Sequence, residues 1–206
     1  MTRLYAGIAG VVVLALVAVT GWFAFLRPPA DAFAPCRESV IAGGTGAIGG
    51  PFTLVDQTGR TVTDREVFTQ PSLVYFGYTF CPDVCPLDVA RNAAAVDILE
   101  EMGYDVAPVF ISIDPERDTP EVLADFAANM HPDMIALTGT PEQVRAASQA
   151  YRTFYRKQDG DPEFYLVDHS TFSYLVLPET GFVDFFRREV EPDALASRIA
   201  CFLERA

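Results

Sequence analysis

The chain is 206 residues long and half of it is apolar, enough for one packed domain with some length to spare. Its 28 acidic residues against 15 basic ones leave a formal charge of −13, which argues against a nucleic-acid or anionic-lipid binder with a basic face. Four cysteines are too few for a disulfide-dense scaffold, and two histidines exclude a multi-histidine zinc site.

Residues 6–26, Ala6 to Leu26, carry no charge. At about 1.5 Å per residue, such a helix crosses a hydrocarbon core of roughly 30 Å. Arg3 precedes the run, and Trp22 sits near its far end, where an interfacial aromatic belongs. A cleaved signal peptide competes, because Ala30-Asp31-Ala32 and Ala32-Phe33-Ala34 both fit a small-x-small site. The run exceeds the usual signal core of roughly 7–15 residues, so the reading taken is an uncleaved anchor. Residues 1–5 would then face the cytoplasm, 6–26 span the membrane, and the remainder lie in the periplasm of a bacterial inner membrane. Residues 27–50 read as a flexible tether. They contain a GxGxxG match at Gly44, Gly46 and Gly49, but Pro51 and a strand-like FTLVD follow in place of the helix that a dinucleotide fingerprint needs.

Residues 51–206 read as the folded domain. Phe52–Asp56 and Arg60–Thr63 predict a hairpin across a Gln57-Thr58-Gly59 turn. Ser72–Tyr78 and Val106–Ile113 are apolar runs of the kind buried on both faces of a sheet. Between them, Pro86–Met102 predicts a helix with Leu87, Ala90, Ala94 and Ile98 on one side. Thr119 and Pro120 open a helix running to about Met130, and a short strand follows at Met134–Leu137. Thr140 with Gln143 forms a capping box at the start of the next helix. Strands are expected at Phe154–Gln158, Phe164–Val167, Thr171–Leu177 and Phe182–Arg187, and Glu191-Pro192-Asp193 begins the closing helix. The order implies an α/β sandwich with a mixed sheet, of thioredoxin-like type in its peroxiredoxin-like variant, with an N-terminal hairpin and one preceding transmembrane helix.

The chemistry concentrates in Cys81-Pro82-Asp83-Val84-Cys85-Pro86, at the end of the first buried strand. Pro86 suits the first helical position, which places Cys85 at the cap and Cys81 on the strand–helix loop. Thiols there face the positive end of the helix dipole and free N–H groups, which favour the thiolate. A redox dithiol ordinarily has two intervening residues rather than three. Two thiolates and one imidazole suit monovalent copper, whereas zinc wants a fourth ligand. His169, in Val167-Asp168-His169-Ser170, is the candidate imidazole at a sheet end, although a lone histidine is more often a surface or hydrogen-bonded residue. His131, at a helix end, reads as structural. Asp114 and Asp118 follow the second strand and are assigned no role.

Tyr75-Phe76-Gly77-Tyr78-Thr79-Phe80-Cys81-Pro82-Asp83-Val84-Cys85-Pro86 resembles the signature of the Sco/SenC copper chaperones. Ile113 to Pro120, Leu137 to Thr140 and Val167 to Ser170 fit the same family in the same order. The resemblance covers about residues 51–204. It implies that Cys81, Cys85 and His169 bind a copper ion, as Cu(I) with Cu(II) as the other state, and that the protein helps metallate the binuclear copper centre of cytochrome c oxidase subunit II. A copper donor and a thiol reductant are implied as further partners, since a closed Cys81–Cys85 disulfide would bind no metal. The alternative is a thiol–disulfide oxidoreductase acting on cysteines of an oxidase subunit.

Cys36 lies in the tether and Cys201 in the last helix. Leu195, Ile199, Phe202 and Leu203 form that helix's apolar stripe, and at about 100° per residue Cys201 points away from its centre. A Cys36–Cys201 disulfide pinning the tether to this helix is therefore expected, with two free thiols as the alternative.

Overall fold

The computed structural model describes residues 2–25, 31–38, 44–159, 161 and 164–206. The chain divides into two compact units, residues 1–34 and 35–206. In the first, the N-terminal run forms helix α1, Thr2–Phe25. Its side chains are described without a break only over residues 8–23. Among the described residues no helix is long and apolar enough to cross a membrane. Of the expected tether, residues 27–30 and 39–43 lie outside the described residues.

The second unit is built on a seven-stranded mixed sheet. Its strands are β1 (Thr53–Asp56), β2 (Thr61–Thr63), β3 (Ser72–Gly77), β4 (Ala107–Ser112), β5 (Ile135–Thr138), β8 (Ser173–Leu177) and β9 (Gly181–Phe186). Their order is β2-β1-β5-β4-β3-β8-β9. β3, β4 and β5 are parallel, and every residue of β3 and β4 is buried, which explains why both read as unbroken apolar runs. Parallel neighbours need crossovers. Helix α3 (Val84–Glu101) joins β3 to β4, and α4 (Pro120–Met130) joins β4 to β5. Helices α5 (Pro141–Ala150) and α6 (Pro192–Leu203) follow β5 and β9, and α6 packs against α3. The remaining strands, β6 (Tyr155–Lys157) and β7 (Val167–His169), form a separate two-stranded sheet.

The capping expectations at Thr119 and Thr140 match: Thr119 accepts from the Val122 N–H, and Thr140 and Gln143 make a complete capping box. Thr63 and Glu66 form another, opening the short helix α2 (Asp64–Val67) that the periodicity did not signal.

Three local expectations are corrected. Helix α3 begins at Val84 rather than Pro86, so Cys85 is in its first turn and not at its cap. Pro86 tolerates this, because the first four helical N–H groups have no partner in the helix and a missing one costs little. The strand expected at Phe164–Val167 lies instead at Val167–His169, since Phe164 and Leu166 are exposed and the ladder is set by Tyr155↔His169 and Arg156↔Asp168. The Arg156–Asp168 ion pair, 2.9 Å, holds that register from one side. Finally, the tether does not extend to Gly50. The Gly49 N–H donates to the Ala150 carbonyl at 2.8 Å, and Gly49, at φ 87°, has Phe182 and Tyr151 within van der Waals distance of any added Cβ. Residues 44–50 therefore lie on the domain; their one regular element is a single 3-10 turn, Thr45–Ala47, and strand β1 follows it, so the glycine triplet lacks the helix that a dinucleotide fingerprint needs.

Candidate metal centre

The two thiols are fixed by the end of β3 and the start of α3. The Cys81 N–H closes a turn onto the Tyr78 carbonyl at 3.3 Å, and the Cys85 N–H, free at the helix start, donates to Cys81 Sγ at 3.4 Å. Both cysteines are buried, Cys85 wholly and Cys81 with 8% of its surface still exposed. Gly77 makes room for the inner thiol. A Cβ there would lie 2.8 Å from a Tyr75 ring carbon, 3.0 Å from a Phe110 ring carbon and 3.1 Å from Cys85 Sγ.

The loop is held from beneath by Asp118, which is fully buried. Its carboxylate accepts from the Thr79 hydroxyl at 2.6 Å, the Thr79 N–H at 3.2 Å and the Ser112 hydroxyl at 2.5 Å. Asp114 nearby accepts from Tyr165 Oη and pairs with Arg117 Nε, each at 2.5 Å. Of these two aspartates, given no role from the sequence, Asp118 ties down the loop that carries the thiols and Asp114 joins Arg117 to Tyr165.

His169 is the last residue of β7. Its Nδ1 lies 2.8 Å from the Ser170 carbonyl, an acceptor only, so that nitrogen carries the proton. Nε2 is left with its lone pair facing Cys85 Sγ at 3.2 Å. The ring is flanked edge-on by Tyr75 and Tyr78, with centroids 6.2 and 5.9 Å away. Sγ of Cys81, Sγ of Cys85 and a ring nitrogen of His169 all lie within 4.8 Å of one another, and among the described residues no other group of this kind occurs.

The three groups differ in proton affinity. Burial pushes the Cys81 thiol up, but the N–H groups of Asp83, Cys85 and Val84 converge on its sulfur and bring it below its ordinary value. Burial dominates at Cys85 and raises its thiol well above the ordinary range, with the charge of Cys81 adding to the effect. At His169 burial again dominates and favours the neutral ring, against the opposing bond to Ser170. The arrangement is one thiolate-prone sulfur nearer the surface, one protonated sulfur inside, and one neutral imidazole. Both sulfurs are free thiols. This soft S₂N donor set, with no carboxylate among it, suits Cu(I) better than a hard cation.

The other cysteines and histidine lie elsewhere. Cys36 and Cys201 are joined by a disulfide, S–S 2.01 Å, across 165 positions of chain. The tether segment beside it is also held by Arg37 Nε to the Val183 carbonyl at 3.0 Å and by a Glu38–Arg198 ion pair at 3.1 Å. His131 is buried with both nitrogens occupied, by Asp97 at 3.2 Å and the Asp133 N–H at 3.1 Å, which leaves no lone pair for a metal.

Residues that sequence reasoning passed over are Gly77, Tyr78, Asp114, Arg117 and Asp118. Gly77 was legible in one respect, as a glycine inside an otherwise apolar strand that marks a close approach. The aspartates carried no signal beyond their spacing after the second strand.

A family model described as SCO1/SenC matches residues 42–204. The chain is 53% identical over 208 residues to Protein SenC of Rhodobacter capsulatus, covering 98% of this chain and 90% of that protein. Among solved structures it resembles Arabidopsis thaliana ScoI with copper bound, at 40% identity and a TM-score of 0.75 over 78% of this chain and 100% of that one. It also resembles BsSco, described as a Sco-family cytochrome c oxidase assembly protein with a disulfide switch. There the identity is 25% and the TM-score 0.61, over 76% and 94% of the two chains. These likenesses carry the thioredoxin-like α/β assignment of the domain.

Proposed function

The chain belongs to the SCO1/SenC family, and from that premise we propose that it is a copper-delivery protein that binds copper through Cys81, Cys85 and His169. The observation that carries the reading is the convergence of two thiols and an unprotonated imidazole nitrogen within 4.8 Å. The resemblance to a copper-bound ScoI supports the same cargo. The cargo is Cu(I), with Cu(II) as the second state. Its destination is the binuclear copper centre of cytochrome c oxidase subunit II, a reading supported by the oxidase-assembly role described for BsSco.

The chain's own residues divide the work. His169 needs no proton loss to bind, because its proton is already held on Nδ1 by Ser170. Cys85 must lose one, so loading releases a proton and becomes tighter as pH rises. Cys81 and His169 are the ligands nearest solvent, so exchange with a partner's ligands takes place on their side while Cys85 stays anchored within the core. The uncharged run of residues 6–26 supports an anchor across a bacterial inner membrane, with the domain in the periplasm. A copper donor loads the site, and a dithiol reductant keeps Cys81 and Cys85 open.

A second reading is thiol–disulfide exchange on an oxidase subunit, favoured by the depressed thiol of Cys81 at a helix start. His169→Ala separates the two. Competition of the reduced protein with a chromophoric Cu(I) chelator should give one copper per chain, and His169→Ala should weaken binding by about 10–100-fold while dithiol exchange persists. Unchanged affinity in that variant would remove His169 from the site and leave the exchange reading.

A further inference from the structure

His169 stands on a hairpin that the main sheet does not hold, since β6 and β7 pair only with each other. A lone two-stranded ribbon is marginal in water, so something else must fix the imidazole against the thiols. The fastening is a mostly buried cluster between the hairpin and the cysteine loop. From the hairpin side comes Tyr165, two residues before β7, which is buried and donates from its hydroxyl to Asp114 at 2.5 Å. Asp114 in turn holds Arg117 Nε at 2.5 Å. The Arg117 guanidinium lies 3.6 Å from the Tyr165 ring centroid on one side and 4.9 Å from that of Phe80, beside Cys81, on the other. The Tyr78 ring lies 5.7 Å away, and the Tyr78 hydroxyl accepts the Val167 N–H of β7 at 3.2 Å. A Lys157–Glu116 ion pair at 2.6 Å closes the solvent edge.

We propose that Arg117 and its partners Asp114 and Tyr165 form a latch that sets copper affinity by holding the His169 hairpin in register with the Cys81–Cys85 loop. Arg117 touches no ligand atom and is a positioning residue. Its guanidinium lies near aromatic rings of both segments, Tyr165 on the hairpin side and Phe80 and Tyr78 on the loop side, and a delocalised planar cation suits several rings better than an ammonium does. With the latch closed, His169 is pre-positioned and the ordering cost is met before copper arrives. With it broken, the two thiols remain a site and the imidazole must be ordered on binding.

The inference rests on His169 being a ligand, and a double-mutant cycle tests the two separately. Arg117→Ala should weaken Cu(I) binding by the full-length reduced protein by about 10–100-fold in competition with a chromophoric chelator. In the His169→Ala background the same change should have almost no effect, because the latch then has no ligand to position. Tyr165→Phe, which removes only one hydroxyl and leaves no buried charge unpaired, should repeat the pattern at about 5-fold. An equal loss in both backgrounds would show a merely structural role and overturn the latch. No loss in the presence of His169 from Tyr165→Phe, or from a folded Arg117→Ala protein, would overturn it too. If His169→Ala itself binds as tightly as the parent, the copper-ligand reading fails before the latch is reached.

Discussion

Cys81 and Cys85 follow a central strand hydrogen-bonded on both sides, whereas His169 ends a ribbon outside that sheet. The first region inherits its geometry from the core: β3 fixes the loop, α3 fixes Cys85, and Asp118 ties down Thr79. The second depends on side chains, chiefly the Arg117 cluster and the Val167–Tyr78 bond. On the proposed copper-delivery reading, the protein has to hold its cargo and then release it. A rigid thiol pair with a separately fastened imidazole provides one ligand whose hold can be loosened without disturbing the fold.

The comparison predicts unequal losses. Cys85→Ser should weaken Cu(I) binding on the order of 1,000-fold or more, since the buried sulfur has no substitute. That loss should clearly exceed the one from His169→Ala in the same chelator competition. Equal losses would erase the distinction between the regions. Replacing Cys36 and Cys201 together by serine should lower unfolding stability by up to about 5 kcal/mol in denaturant titration, because the bridge closes a loop of 165 positions. Copper affinity should stay within about 2-fold of the parent, as the bridge fastens neither ligand segment. Gly77→Ala forces a Cβ against Tyr75, Phe110 and Cys85. It should cost about 2 kcal/mol of stability and displace the inner thiol as well, unlike any change on the hairpin.

The smallest effect concerns pH. Burial raises the Asp118 carboxyl above its ordinary value despite the lowering bonds from Ser112 and Thr79. A raised carboxyl keeps its proton longer in the folded chain than in the unfolded one. Its contribution is therefore complete below the unfolded value of about 4 and is lost as pH rises through the folded value. Asp118→Asn should flatten that part of the stability–pH curve, measured by urea midpoints in the metal-free protein, and an unchanged slope would contradict the raised carboxyl.

The sequence made the sheet legible where one rule acted alone. The unbroken apolar runs of β3 and β4 read as doubly buried strands, and Thr140 with Gln143 read as a helix start; both readings match the fold. It was less legible at the hairpin, because Phe164 and Leu166 are apolar and exposed while the polar Asp168 pairs across the strands. Local pattern therefore pointed to the wrong residues. Of the site, the two thiols followed from their place before a helix, and α3 merely starts two residues earlier than its proline suggested. His169 was nominated by scarcity and by family resemblance. The groups that position it, Arg117 and Tyr165, are far apart in sequence and become neighbours only through tertiary packing.

X-ray absorption at the copper edge on the loaded, reduced protein tests the central claim most directly. The account predicts two sulfur scatterers and one imidazole nitrogen at each Cu(I), with the nitrogen contribution lost in His169→Ala. A site of two sulfurs alone in the parent protein, unchanged by that substitution, would contradict it.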